Sequence, residues 1–174
     1  MRQQITAFGS SRLSESDPRY MDVRRLGEVL AKHGWDAITG GHQGLMAAFA
    51  GGIHAGGGKV RGITLECFPT PPGNHLSEEV RARDFFHRMQ TMIEETDAYI
   101  VLPGGLGTLA ELAMSWDLLA IHILETRPLI LYGKEWLNIV DVLRENLILS
   151  VDRAFSMISP CDSVDEVCRQ LGTA

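Results

Sequence analysis

Lysine is scarce in this chain of 174 residues: Lys32, Lys59 and Lys134 are the only three. Lys32 falls at the end of a helical pattern, Lys59 opens a strand-like run and Lys134 sits in a loop, so none has the setting of a pyridoxal phosphate Schiff base. Gly-Lys-Ser/Thr does not occur, which excludes a Walker A loop, and the absence of Gly-x-Ser-x-Gly removes the serine-hydrolase elbow. The three cysteines, Cys67, Cys161 and Cys168, fit neither a zinc spacing nor a CxxC pair, and read as reduced thiols of a cytoplasmic protein. Six histidines are dispersed without an HExxH pattern, so neither a metal nor a cofactor is expected. No early basic and apolar segment looks like a signal peptide, and no apolar run reaches membrane-spanning length. The formal net charge of −6 lacks the basic surplus of a nucleic-acid binder, although a small anionic ligand needs only local positive potential.

What is present is a β-α alternation. With 45% hydrophobic residues the chain can build one compact domain, residues 1–174, with a sizeable core. Strand-like runs fall at 4–8, 36–39, 60–65, 98–102, 128–132 and 155–158. Helical patterns fall at 20–33, 45–55, 79–96, 108–122, 135–146 and 163–171. The expected fold is α/β: a Rossmann-like, doubly wound parallel sheet with helices on both faces, in which ligands collect at the carboxyl ends of the strands. Three small-residue loops fall there: Gly9-Ser10-Ser11, Gly40-Gly41-His42-Gln43-Gly44, and a loop containing Gly104. The Pro-rich segment 68–74 is either an ordinary surface loop or a rim over the site.

The third loop is the richest in information. Pro103-Gly104-Gly105-Leu106-Gly107-Thr108-Leu109-Ala110-Glu111 joins an apolar strand to a helix through three glycines. Thr108 can cap that helix, so the loop amides and the helix dipole converge on one point, where a phosphate fits; the other reading is a tight turn whose glycines supply φ > 0. Glu111, expected in the first helical turn, is either a dipole-stabilising surface carboxylate or a group that reaches a bound sugar. In the second role it suits cleavage of an N-glycosidic bond, whose oxocarbenium-like transition state needs nearby negative charge and an activated water. Arg88 lies four residues after Asp84 and forms either an i, i+4 ion pair or a guanidinium clamp at the cleft. His42 is the histidine best placed for a ligand contact, though loop histidines are commonly just solvated.

Together these segments resemble the LONELY GUY (LOG) family of cytokinin-activating phosphoribohydrolases, often labelled possible lysine decarboxylases. Residues 103–111 match its PGGxGTxxE motif at every fixed position, Gly40 to Met46 resemble its GGxxGLM loop, and Arg88 and Met92 match the R and M of its RKxxM helix. The resemblance runs from about Ile5 to Asn146. Three features depart from it: Met89 stands where lysine is usual, Ala110 replaces the first glutamate of GTxEE, and the step from Glu111 to Trp116 is two residues shorter. The resemblance implies a homodimer that binds a nucleoside 5′-monophosphate, AMP or an N6-substituted AMP, and hydrolyses it to free base and ribose 5-phosphate. It implies catalytic roles for Arg88 and Glu111, and phosphate contacts for Gly104, Gly105, Gly107 and Thr108; Gly9, Ser10, Gly40, Gly41 and Met92 are further candidates for substrate binding. Neither nucleic acid nor membrane is an expected partner. The alternative is a nucleotide or molybdenum-cofactor carrier of the same fold that binds without cleaving.

Overall fold

The short apolar runs assemble into a seven-stranded, all-parallel sheet in a computed structural model that describes residues 2–68, 75–148 and 153–173. In chain order the elements are β1 (Gln3–Phe8), α1 (Pro18–Lys32), β2 (Trp35–Thr39), α2 (Leu45–Ala55), β3 (Val60–Leu65), β4 (Glu78–Ala82) and α3 (Phe85–Glu94). There follow β5 (Ala98–Val101), α4 (Leu106–Ala120), β6 (Leu129–Tyr132), α5 (Lys134–Asn146), a 3₁₀ turn (Ala154–Met157), β7 (Ile158–Cys161) and α6 (Val164–Gln170). The strand order is β4-β3-β2-β1-β5-β6-β7. Strand side chains alternate between two cores. Ile5, Ala7 and Ile100 join α1 and α2 on one face, while Phe8, Tyr99 and Val101 join α3 and α4 on the other. Helices therefore cover both faces of a doubly wound sheet.

β4 and the last strand differ from the sequence expectation. β4 occupies the start of the segment read as one helix over 79–96. Its Glu78-Glu79-Val80-Arg81-Ala82 is a charged, mostly exposed edge strand without an apolar run, because an edge strand needs protection from further pairing more than it needs burial. The last strand lies at Ile158–Cys161 rather than 155–158, since Ala154–Met157 forms the 3₁₀ turn. Of the Pro-rich loop, residues 69–74 lie outside the described residues. Among the described residues no helix is long and apolar enough to cross a membrane.

The order places β1 between β2 and β5, so the winding reverses between β1 and β5. At such a switch point the loops leaving the two strands part in opposite directions and open a crevice at the carboxyl edge. The Gly9 loop leaves β1 there, the Gly104 loop leaves β5, and the Gly40 loop leaves the neighbouring β2.

Candidate active site

Backbone bonds tie these loops together. Ser10 N–H donates to the Pro103 carbonyl at 3.0 Å, and the Ser10 carbonyl accepts from Leu45 N–H at 2.8 Å. Gly44 has φ +75, and a Cβ there would run into the backbone of Ser10 and Ser11, so glycine is required where the two loops touch. A cleft of about 710 Å³ opens among them, within the usual range for small-molecule sites.

Arg88 and Glu111 meet in its floor. Their side chains are 9% and 13% exposed, with Arg88 Nη1 3.6 Å from Glu111 Oε1. Arg88 Nε donates to the Ile63 carbonyl at 2.8 Å. The i, i+4 pair with Asp84 does not form: Asp84 caps α3, accepting from His87 N–H at 2.8 Å, and its other oxygen faces Arg83. Burial pushes the Glu111 carboxyl up to about 7, against the downward pull of Arg88, and burial likewise lowers the Arg88 guanidinium from its ordinary value, against the pull of Glu111. Neither charge is fully compensated. That is the condition in which a carboxylate gains most from a new positive charge beside it.

Helix α4 starts earlier than the sequence suggested. Its N-cap is Gly105, without a side-chain cap, so Thr108 is a buried residue of the first turn rather than the cap, and Glu111 lies in the second turn. Gly104, Gly105 and Gly107 all lie outside the positive-φ region, which removes the reading that this loop needs glycine for φ > 0. A Cβ at Gly105 or Gly107 would meet nothing within 4 Å, whereas one at Gly104 would collide with the Thr108 side chain. Gly105 and Gly107 thus leave the amides of the helix N-terminus uncovered toward the cleft, and Gly104 lets Thr108 fold beneath the loop.

Of the residues named from sequence, Gly9, Ser10, Arg88, Gly105, Gly107, Thr108 and Glu111 line the cleft. Gly40, Gly41, Gly104 and Met92 are not among its walls. Gly40 lies behind Arg88, where a Cβ would overlap Nη2 and stand 3.3 Å from Cζ; at Gly41, φ +69, a Cβ would meet Thr64 Cγ2 at 2.5 Å. Met92 is wholly buried in the core beneath the sheet, as is Met89, which explains how an apolar side chain replaces lysine there. Arg12, Gln43, Met46, Cys67, Phe68, Phe85 and Leu106, none of them named as a site residue from sequence, also line the cleft, and His42 lines it as a candidate ligand contact. Gln43 and Met46 fall within the GGxxGLM segment, Leu106 within PGGxGTxxE and Phe68 at the start of the Pro-rich segment, so their segments were marked although the residues were not singled out; Arg12, Cys67 and Phe85 carry no motif, and only their positions just after β1 and β3, or at the start of α3, could have marked them. Among the described residues no lysine lines the cleft.

Residues 46–171 match the model of the family described as "Possible lysine decarboxylase". A protein of Oryza sativa subsp. japonica named "Probable cytokinin riboside 5'-monophosphate phosphoribohydrolase" is 40% identical over 56% of this chain and 42% of its own length. An Arabidopsis thaliana protein named cytokinin riboside 5'-monophosphate phosphoribohydrolase is 32% identical over 87% of this chain and 70% of its own. The chain spans about half the length of the first curated relatives it matches, 42% to 56%. The structure is similar in fold to a molybdenum cofactor binding protein of Rippkaea orientalis, with a TM-score of 0.74 at 18% identity over 99% of this chain and 98% of the other. The PGGxGTxxE loop at the switch point, the Arg88 helix beside it and the match along residues 46–171 give one answer: the chain belongs to the LONELY GUY family, the family described as possible lysine decarboxylases.

Proposed function

We propose that this protein is a phosphoribohydrolase, cleaving the N-glycosidic bond of a nucleoside 5′-monophosphate, AMP or an N6-substituted AMP, into free base and ribose 5-phosphate. The observation that carries this reading is the buried Arg88–Glu111 pair in the floor of a cleft whose next wall is the open glycine turn. The phosphate sits on the N-terminus of α4 at Gly105, Gly107 and Thr108, where amide donors and the helix dipole favour an anion. Glu111, ionised, faces the ribose, stabilises the oxocarbenium-like charge and accepts a proton from the water that attacks C1′. Glu111 returns the water proton to solvent after the step, while the electron pair of the broken C1′–N bond leaves with the base, which takes a proton from solvent. Arg88 acts by position and charge, because a guanidinium is too weak an acid to supply that proton readily. A pyridoxal phosphate decarboxylase would need a lysine in the cleft, and among the described residues none lines it.

The protein works in this reading as one nucleotide-binding unit, and its three free cysteines suit the reducing cytoplasm. Two copies pair through α3 and α4, whose Phe85, Phe86, Leu109 and Met114 are exposed beyond the stripe that faces the sheet. The test is incubation with AMP and with N6-substituted AMP, quantifying free base and ribose 5-phosphate. Stoichiometric release of both supports the hydrolase; tight AMP binding without release replaces it with the carrier reading.

A further inference from the structure

Besides the Arg88–Glu111 pair and the Gly105–Thr108 turn, the cleft is lined by residues of the loops that follow β2 and β3. His42 follows β2 and Phe68 follows β3, and their rings meet edge to face, centroids 5.6 Å apart and planes at 82°. Both line the cleft. In the sheet β2 is two strands from β5, and β3 is three. At about 4.8 Å per strand, these loops lie roughly 10 and 14 Å across the strand ends from the glycine turn. That span is the reach of an extended nucleoside monophosphate. With its phosphate on the α4 N-terminus and its ribose over Glu111, the base arrives at the His42–Phe68 corner.

We propose that His42 and Phe68 form the base-recognition wall of this cleft, a corner that takes a planar purine by stacking on one ring and edge contact with the other. This rests on reading the cleft as a nucleoside 5′-monophosphate site. Two aromatic planes at right angles suit the quadrupole of a flat heterocycle, whichever ring it stacks on. Burial and the Arg88 charge hold His42 below its ordinary value, so near neutral pH it is an uncharged ring that offers one donor and one acceptor to a base edge. Met46 and Cys67 line the same cleft and offer it polarisable sulfur, which makes favourable contacts with aromatic rings. Neither ring belongs to the glycine turn or to the Arg88–Glu111 pair, so the wall sets which base is held and not whether the bond is cleaved.

Calorimetric binding of AMP and of ribose 5-phosphate to the parent, His42→Ala, Phe68→Ala and His42→Phe tests this. Each alanine variant should weaken AMP on the order of tenfold, the scale of one lost stacking partner. Ribose 5-phosphate, which lacks the base, should bind all four proteins equally, and His42→Phe should recover most of the AMP affinity. Equal losses for AMP and ribose 5-phosphate would overturn the proposal, since the pair would then support the cleft as a whole. So would alanine variants that bind AMP as the parent does. A parent that binds neither ligand overturns the nucleotide reading itself, and is distinct from a parent that binds both while its variants follow it.

Discussion

Replacing Glu111 by glutamine separates what this side chain does for the fold from what it does for the reaction. The carboxyl, ordinarily near 4.5, is pushed up to about 7 by burial, even with Arg88 3.6 Å away. A raised carboxyl contributes its full stability below about pH 4.5 and loses it as pH rises through 7, because the folded state must then carry a charge that the unfolded chain carries more cheaply. The gap between 4.5 and 7 corresponds to about 3 kcal/mol when both states are ionised. Glutamine resembles the protonated carboxyl in shape and charge, so Glu111→Gln escapes that loss. The variant and parent should melt together near pH 4.5, and the variant should pull ahead as pH rises, reaching roughly 6–12 °C above pH 8 for a chain of this size. Base release from AMP should fall by about 10²-fold or more, since the charge that stabilises the oxocarbenium and accepts the water proton is gone. Thermal melts across pH 4.5–8.5, paired with chromatographic base release, provide the assay. A variant that is less stable than the parent at pH 8, or that keeps parental turnover, refutes the reasoning about Glu111.

Arg88→Ala should lose both AMP affinity and turnover, because it removes contacts made to ground and transition states alike; calorimetry and initial rates read the two losses separately. Gly107→Ala should leave the melting temperature within about 2 °C of the parent, since its Cβ meets no atom, yet weaken AMP by crowding the open amides. Equal affinity for AMP and adenosine in the parent would show that this turn does not anchor a phosphate. Phe86, 76% exposed on α3, should when changed to aspartate shift light scattering from two copies toward one at micromolar concentration; a monomeric parent would remove the pairing.

Much of the fold was legible because buried parallel strands announce themselves. Ala98-Tyr99-Ile100-Val101 is wholly buried and β-prone, and the helices between strands carry clear apolar stripes. β4 was not legible, because its stability comes from pairing with β3 along an exposed edge that residue pattern does not reveal. The glycine turn and Glu111 were legible as a motif, but the start of α4 was not: Leu106 begins the helix without a side-chain cap, and a sequence rule looks for the cap. Gly40 and Gly104, named as candidate ligand contacts, make room for Arg88 and Thr108, a role that depends on what a Cβ would strike in three dimensions. His42 and Phe68 are 26 residues apart and belong to no shared pattern; only the adjacency of β2 and β3 brings them together.

The direction of Arg88 shows how local choices become chemistry. The sequence permitted an outward ion pair with Asp84 as readily as an inward guanidinium. Asp84 is committed to the helix N-terminus through His87 N–H, Ile63 offers its carbonyl to Nε, and Gly40 lacks the Cβ that would block Nη2. With the outward partner taken and the inward path open, the guanidinium turns in and gives Glu111 an ion-pair partner. At 3.6 Å in a buried floor this attraction is substantial, yet it falls short of offsetting the desolvation of either group. The carboxylate is left on the edge of ionisation at neutral pH. A positive charge that develops on the ribose as the glycosidic bond breaks would then interact with Glu111 more strongly than the ground state does, and only such a difference between the two states accelerates the reaction.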